Sequence, residues 1–181
     1  MTVFLSGGAK NGKSTLAQKI AVKLAGGGKR YYVATMIPTG EEDYARIRRH
    51  IADRAGMGFE TVECFTSPMD CLETADKDGT FLVDSATALL QNALFPARKN
   101  YEMDLDAARR CGDELVELVK TVRNAVVVSD YIFSDAEQYS ESTELYRKCL
   151  AELDRRLAGV CDTVIEVSAS RAVIHKGEMV L

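Results

Sequence analysis

Eight residues near the start of the chain, Gly7-Gly8-Ala9-Lys10-Asn11-Gly12-Lys13-Ser14, follow the pattern G-x-x-x-x-G-K-[ST] of a phosphate-binding loop. They lie where such a loop works. Thr2-Val3-Phe4-Leu5 reads as a short buried strand before it, and Thr15-Leu16-Ala17-Gln18-Lys19-Ile20 opens a helix after it. A loop of this kind wraps backbone N–H groups around phosphate oxygens at the positive end of the helix. Gly7 and Gly12 permit dihedrals and close approaches that a side chain would forbid. In that arrangement Lys13 reaches the β- and γ-phosphates and Ser14 ligates Mg²⁺. The expected ligand is a nucleoside triphosphate.

With 181 residues the chain is long enough for one α/β domain, over 1–181, and too short for two comfortable ones. A net charge of −4 argues against a nucleic-acid partner. The five cysteines are scattered with no C-x-x-C pair, so reduced thiols are expected rather than zinc or disulfides. The first apolar stretch ends at Leu5, and no apolar run approaches the roughly 20 residues that span a bilayer. A cytoplasmic location without membrane attachment is expected.

Strand and helix signals alternate along the chain. The first helix runs to about Ala25 and stops at Gly26-Gly27-Gly28. Tyr31-Tyr32-Val33-Ala34-Thr35 reads as a strand, and Thr39 and Glu42, at capping-box spacing, start a helix to about Arg54. A strand over 59–64 and a short helix from Ser67-Pro68 follow, then the buried strand Phe81-Leu82-Val83-Asp84. Helices are expected at about 86–94, 105–122 and 141–157, with strands at 125–129, 163–167 and about 172–175. This order predicts a three-layer fold of the P-loop NTPase type. Its sheet is mainly parallel, with helices on both faces and an antiparallel edge strand near the C-terminus. Ligands then bind beyond the carboxyl ends of the strands.

The helix after Thr39 carries two patterns. Tyr44, Ile47, Ile51 and Ala55 recur at helical spacing and are expected to face the core. Arg46, His50 and Arg54 recur every four residues, with Arg49 beside them. Like charges at that spacing repel unless an anion sits among them. Neighbouring cations disfavour a further charge on an imidazole, and a neutral imidazole can attack phosphorus. The alternative is a solvated basic face with an incidental histidine. Asp84 ends its strand where P-loop proteins keep an acid that helps hold Mg²⁺, or it merely closes the strand. Glu63 either enters the site or is a surface carboxylate, and Thr35 either donates to a phosphate or fills a strand end. His175 reads as structural or exposed.

Taken in order, these segments resemble the bifunctional adenosylcobinamide kinase/adenosylcobinamide-phosphate guanylyltransferase family of cobalamin biosynthesis. The loop is similar to that family's Gly-Gly-Ala-Arg-Ser-Gly-Lys-Ser, and Tyr32-Val33-Ala34-Thr35 to its Tyr-Ile-Ala-Thr strand. Arg46-Ile47, His50 and Arg54 fit its Arg-Ile-x-x-His-x-x-x-Arg helix. Thr61-Val62-Glu63, Leu82-Val83-Asp84, Thr87, Asn92, Val128-Ser129 and Leu153-Asp154-Arg155-Arg156-Leu157-Ala158 fit as well.

The resemblance implies two reactions: phosphorylation of adenosylcobinamide, then transfer of GMP from GTP to the resulting phosphate through a guanylylated His50. It implies GTP, ATP or both as substrates with Mg²⁺ held by Ser14 and Asp84, a corrinoid partner, and a homotrimer. Nucleotide contacts are implied at Gly7, Gly8, Ala9, Lys10, Asn11, Gly12, Lys13, Ser14, Ala34, Thr35, Met36, Ile51, Ala52, Asp53, Arg54, Glu63 and Asp84. Lys13 is implied as catalytic, and Arg46 and Arg54 as stabilising phosphate charge. The chain departs from the pattern at Ala55, where the family has Pro. It departs again at Asp130-Tyr131-Ile132-Phe133-Ser134-Asp135-Ala136-Glu137, where the family reads Asn-Glu-Val-Gly and then a Gly- and Pro-containing loop. The second change falls at a strand's carboxyl end and bears on base recognition, the corrinoid site or one of the two activities.

Overall fold

The computed structural model describes residues 1–133 and 136–180, apart from the side chain of residue 98. Runs of apolar residues that are buried on both sides form the central strands, because a strand covered on both faces has no polar side to show. These are β1 (Thr2–Gly7), β2 (Arg30–Ala34), β4 (Thr80–Asp84) and β5 (Asn124–Asp130). β3 (Glu60–Glu63), β6 (Thr163–Ser168) and β7 (Arg171–Lys176) complete one seven-stranded sheet in the order β3-β2-β4-β5-β1-β6-β7. Neighbours pair parallel throughout, except that β7 turns back antiparallel on β6 at the edge. The expected architecture, including that edge strand, is the one observed.

Helix α1 (Lys13–Ala25) packs Ala17, Ile20 and Ala21 on one face of the sheet, against Leu5, Leu82 and Val126. The opposite face is covered by α3 (Ala86–Leu94), α4 (Leu105–Thr121) and α5 (Glu141–Val160), whose Leu89, Leu115 and Leu150 meet Phe4, Phe81 and Val127. Strand alternation divides the two cores: Phe81 and Val83 serve one, Leu82 the other.

Helix α2 (Glu41–Asp53) is built differently. It has no buried residue at all. Tyr44 and Ile51 are half-exposed and Ala55 is exposed beyond the helix end, so the expectation that this stripe faces the core is corrected. The helix stands off the sheet, and its apolar stripe lines a cavity rather than meeting protein. Its start also differs from the capping box expected at Thr39 and Glu42. The N-cap is Gly40, and the Thr39 hydroxyl and N–H both donate to Asp43 Oδ2, at 2.8 and 2.9 Å. The short helix expected from Ser67-Pro68 is a 3₁₀ segment, Pro68–Glu73, with Ser67 at its N-cap and Pro at its start.

Candidate active site

The phosphate loop joins β1 to α1 and is pinned to the sheet. A Cβ on Gly7 would stand 2.3 Å from the carbonyl oxygen of Val167 on the adjacent β6, so a side chain has no room there. Gly12 takes φ 85°, in the left-handed region that favours glycine. The Tyr131 N–H donates to Gly7 O at 3.2 Å, and Asn11 Nδ2 donates to Val167 O at 3.4 Å. Ala9 and Lys10 are exposed, while Gly8, Asn11 and Ser14 are half-buried.

Lys13 is only 4 % exposed and is engaged within the protein: Nζ donates to Gly8 O at 2.6 Å and to Asp130 Oδ1 at 2.6 Å. Asp130 ends β5, the immediate neighbour of β1. The sequence pattern marked it only as the start of an atypical loop, of which Ser134 and Asp135 lie outside the described residues. Its position at the carboxyl end of a buried strand was the signal available.

A cavity of about 260 Å³ lies between α2 and the carboxyl ends of β2, β3 and β4. Its wall brings together Arg46, His50, Ile51 and Arg54 from α2 and its end, Ala34 from β2 with Thr35 and Met36 just beyond it, and Glu63 and Asp84 from β3 and β4. Residues 7–14 are not part of that wall; neither are Ala52 and Asp53, which are exposed on α2. Arg46, His50 and Arg54 of the basic stripe thus share one cavity wall, although Arg46 is also exposed and Arg49 lies exposed outside that wall.

His50 Nδ1 is buried without a hydrogen-bond partner among the described residues, 3.8 Å from Asp84 Oδ2. Asp84 in turn accepts from the Tyr32 hydroxyl at 3.1 Å. Burial first, and the adjoining Asp84 carboxylate second, push the Tyr32 phenol well above its ordinary range. It stays a donor. The Arg54 guanidinium lies over the Tyr32 ring at 4.0 Å and donates to Thr61 Oγ1 at 3.0 Å, which holds it at the cavity edge.

Helix α3 ties the loop to the cavity. The Thr35 hydroxyl accepts from Ser85 N–H at 2.6 Å and donates to Ser85 O at 3.1 Å, so it is used within the protein and closes the strand end. Asn92 Nδ2 donates to Thr35 O and Phe65 O, at 2.8 and 3.0 Å. On the other side Thr87 Oγ1 accepts from Asp130 N–H at 2.8 Å. Thr87 and Asn92 thus fix the ends of β5 and β2 relative to each other. His175 lies away from this region, half-exposed and 2.9 Å from Glu166 on β6.

Among the described residues no group of three or more His, Cys, Asp or Glu could hold a metal ion. Mg²⁺ does not need one, since one or two hard oxygen ligands from the protein suffice when phosphates and waters supply the rest. The Ser14 hydroxyl and the carboxylates at the strand ends suit that donor chemistry. No described helix is long and apolar enough to cross a membrane.

Comparison with solved structures finds the same fold in proteins of low sequence identity. An ATPase from the type III secretion system of pathogenic bacteria superposes with TM-score 0.58 at 11% identity, over 92% of this chain and 51% of that one. A protein of Pyrococcus horikoshii OT3 gives 0.54 at 12%, over 98% and 87%. An ATP synthase subunit of Nanoarcheaum equitans gives 0.54 at 11%, over 92% and 45%. The chain spans about half the length of the secretion-system ATPase and of the ATP synthase subunit, and the likeness is one of fold. No curated protein matches the chain.

A phosphate loop closing the first strand of such a sheet defines a P-loop nucleotide-binding α/β protein. Over residues 3–174 the chain matches the model of the cobinamide kinase / cobinamide phosphate guanyltransferase family, and it belongs to that family.

Proposed function

We propose that this chain phosphorylates adenosylcobinamide and then transfers GMP from GTP to the product, with His50 as the residue guanylylated in between. The observation that carries the reading is the cavity under α2, whose wall includes His50, Arg46, Arg54 and Asp84. A partly open, partly apolar cleft with cations in its wall suits a nucleotide whose phosphates need neutralising.

In the kinase step the aminopropanol hydroxyl oxygen attacks the γ-phosphorus. The bond to the β–γ bridging oxygen breaks, and the hydroxyl proton is lost to solvent. Lys13 leaves Asp130 to hold the β- and γ-oxygens. Ser14 and Asp84 would hold Mg²⁺, which would supply charge neutralisation along the triphosphate.

In the transfer step Nε2 of His50 is the attacking atom, because Nδ1 is the buried nitrogen that faces Asp84. Nε2 bonds to the α-phosphorus as pyrophosphate leaves, and Arg46 and Arg54 steady the charge that gathers on the oxygens. A phosphate oxygen of adenosylcobinamide phosphate then attacks the same phosphorus. The P–N bond breaks and its electrons return to the imidazole. The proposal takes GTP as GMP donor, leaves ATP or GTP as γ-phosphate donor, and places the work in a cytoplasmic homotrimer.

Separate assays of γ-phosphate transfer and GMP transfer test it with wild type and His50→Ala. The variant is expected to lose GMP transfer and keep the kinase step. A wild type that moves γ-phosphate but no GMP supports instead a small-molecule kinase with an arginine lid.

A further inference from the structure

The carboxylate that meets Lys13 stands apart from the acid at the cavity. Asp130 ends β5, which lies between β1 and β4, and its backbone is held by Thr87 Oγ1. Its side chain is 24 % exposed, whereas that of Lys13 is 4 % exposed, so the pair is open on the Asp130 side. Behind it stands a second acid, Asp154 on α5, buried and with neither oxygen hydrogen-bonded to a described residue. The acid at the loop is therefore backed by another acid, and Lys13 is its ion-pair partner.

A lysine has three donors, and Asp130 and Gly8 O hold two of them. A triphosphate in the loop must draw that ammonium onto its own oxygens. Once Lys13 moves, the Asp130 carboxylate faces phosphate oxygens of the same sign, in a partly buried place where screening is weak. A divalent cation removes the conflict, since carboxylate and phosphate oxygens are both hard ligands that share it, directly or through its waters.

We propose that Asp130 makes the loop select the cation-complexed triphosphate. It latches Lys13 in the free protein and turns to the cation in the bound one, so that triphosphate without a cation is disfavoured. This rests on the reading that residues 7–14 bind a triphosphate.

Calorimetric titration of GTP in magnesium buffer and in EDTA tests it, for wild type, Asp130→Asn and Asp130→Ser. Wild type is expected to bind GTP far more tightly with magnesium. Asp130→Asn is expected to bind cation-free GTP about tenfold more tightly than wild type does, narrowing the ratio between the two buffers. Asp130→Ser, also uncharged, narrows it in the same way, and thermal melts check that each variant is folded. An unchanged ratio in both variants overturns the inference and leaves the loop reading standing. Wild type that binds GTP in neither buffer overturns the loop reading, and the inference with it.

Discussion

The phosphate loop and helix α2 sit at the same end of the sheet and are held in opposite ways. Around the loop, Gly7 has no room for a Cβ, Lys13 is buried in an ion pair, and the Tyr131 and Asn11 contacts fasten the turn to the end of β5 and to β6. Helix α2 buries nothing and leaves a cavity beneath it. The difference separates two tasks. A triphosphate cradle works by preorganised backbone donors, so it is made rigid. On the proposed reading this surface receives GTP and afterwards a bulky corrinoid phosphate, and such a surface is better left unfilled, with its cohesion supplied when the ligand arrives. Segments with few buried apolar contacts are also those that open most easily.

The largest effect is expected at the rigid end. Lys13→Met removes the ammonium that on the proposed reading holds the phosphates, and is expected to lower kcat/KM of both reactions by about a hundred- to a thousandfold, measured with saturating Mg²⁺. Loss of one reaction only would break the idea that a single cradle serves both.

Two glycines sharpen the contrast in stability. Gly7→Ala forces a Cβ against the Val167 carbonyl within paired strands, where neither backbone can yield. It is expected to cost about 3 kcal/mol and lower Tm by roughly 6–12 °C. Gly40→Ala, at the N-cap of α2 in extended backbone with nothing within 4 Å, is expected to stay within about 1 kcal/mol of wild type. Thermal melts of the two variants decide it; equal losses would mean that α2 is as tightly built as the loop.

The smallest expected effect concerns the acid behind Asp130. Burial, and then the charge of Asp130, push the Asp154 carboxyl up to about 7, and the neighbouring Ser129 hydroxyl offsets part of this without reaching hydrogen-bond geometry. The folded value lies above the unfolded one, so the folded chain keeps a proton that the unfolded chain has released. Stability is therefore lost as pH rises from about 4 to about 7 and is flat above. A shift of this size corresponds to about 4 kcal/mol at most. An amide in the same place still lacks partners, which returns about 2 kcal/mol. Asp154→Asn is thus expected to gain about 2 kcal/mol near pH 8 and to lose about 2 kcal/mol near pH 4, by denaturant melts. A gain independent of pH would contradict the assignment.

Much of this was legible in the sequence. The glycines and lysine of the loop, the apolar strands and the helix boundaries are local properties, and they appear at 13–25, 86–94 and 105–121 close to where spacing put them. The stripe of Arg46, His50 and Arg54 was legible too, because helical spacing alone puts those side chains together. What the stripe faced was not. Periodicity identifies an apolar face on α2 but not whether protein or an empty cavity lies against it, hence the misplacement of Tyr44, Ile47 and Ile51. Asp130 was missed for another reason. Its meeting with Lys13 depends on β5 lying beside β1, a crossover of more than a hundred residues that no local pattern encodes. The Asp154 carboxyl was hidden likewise, since burial of an acid on an amphipathic helix follows from how α5 docks.

The central claim is that the unfilled side of this comparison holds a nucleophile. Wild-type protein incubated with GTP and Mg²⁺, kept at neutral to alkaline pH and digested with trypsin, reports on it through the mass of the peptide spanning residues 50–54. That peptide is expected to carry one GMP, released by acid and retained in base, as a phosphoramidate should be. An unmodified 50–54 peptide, or GMP found on a residue other than His50, would contradict the account.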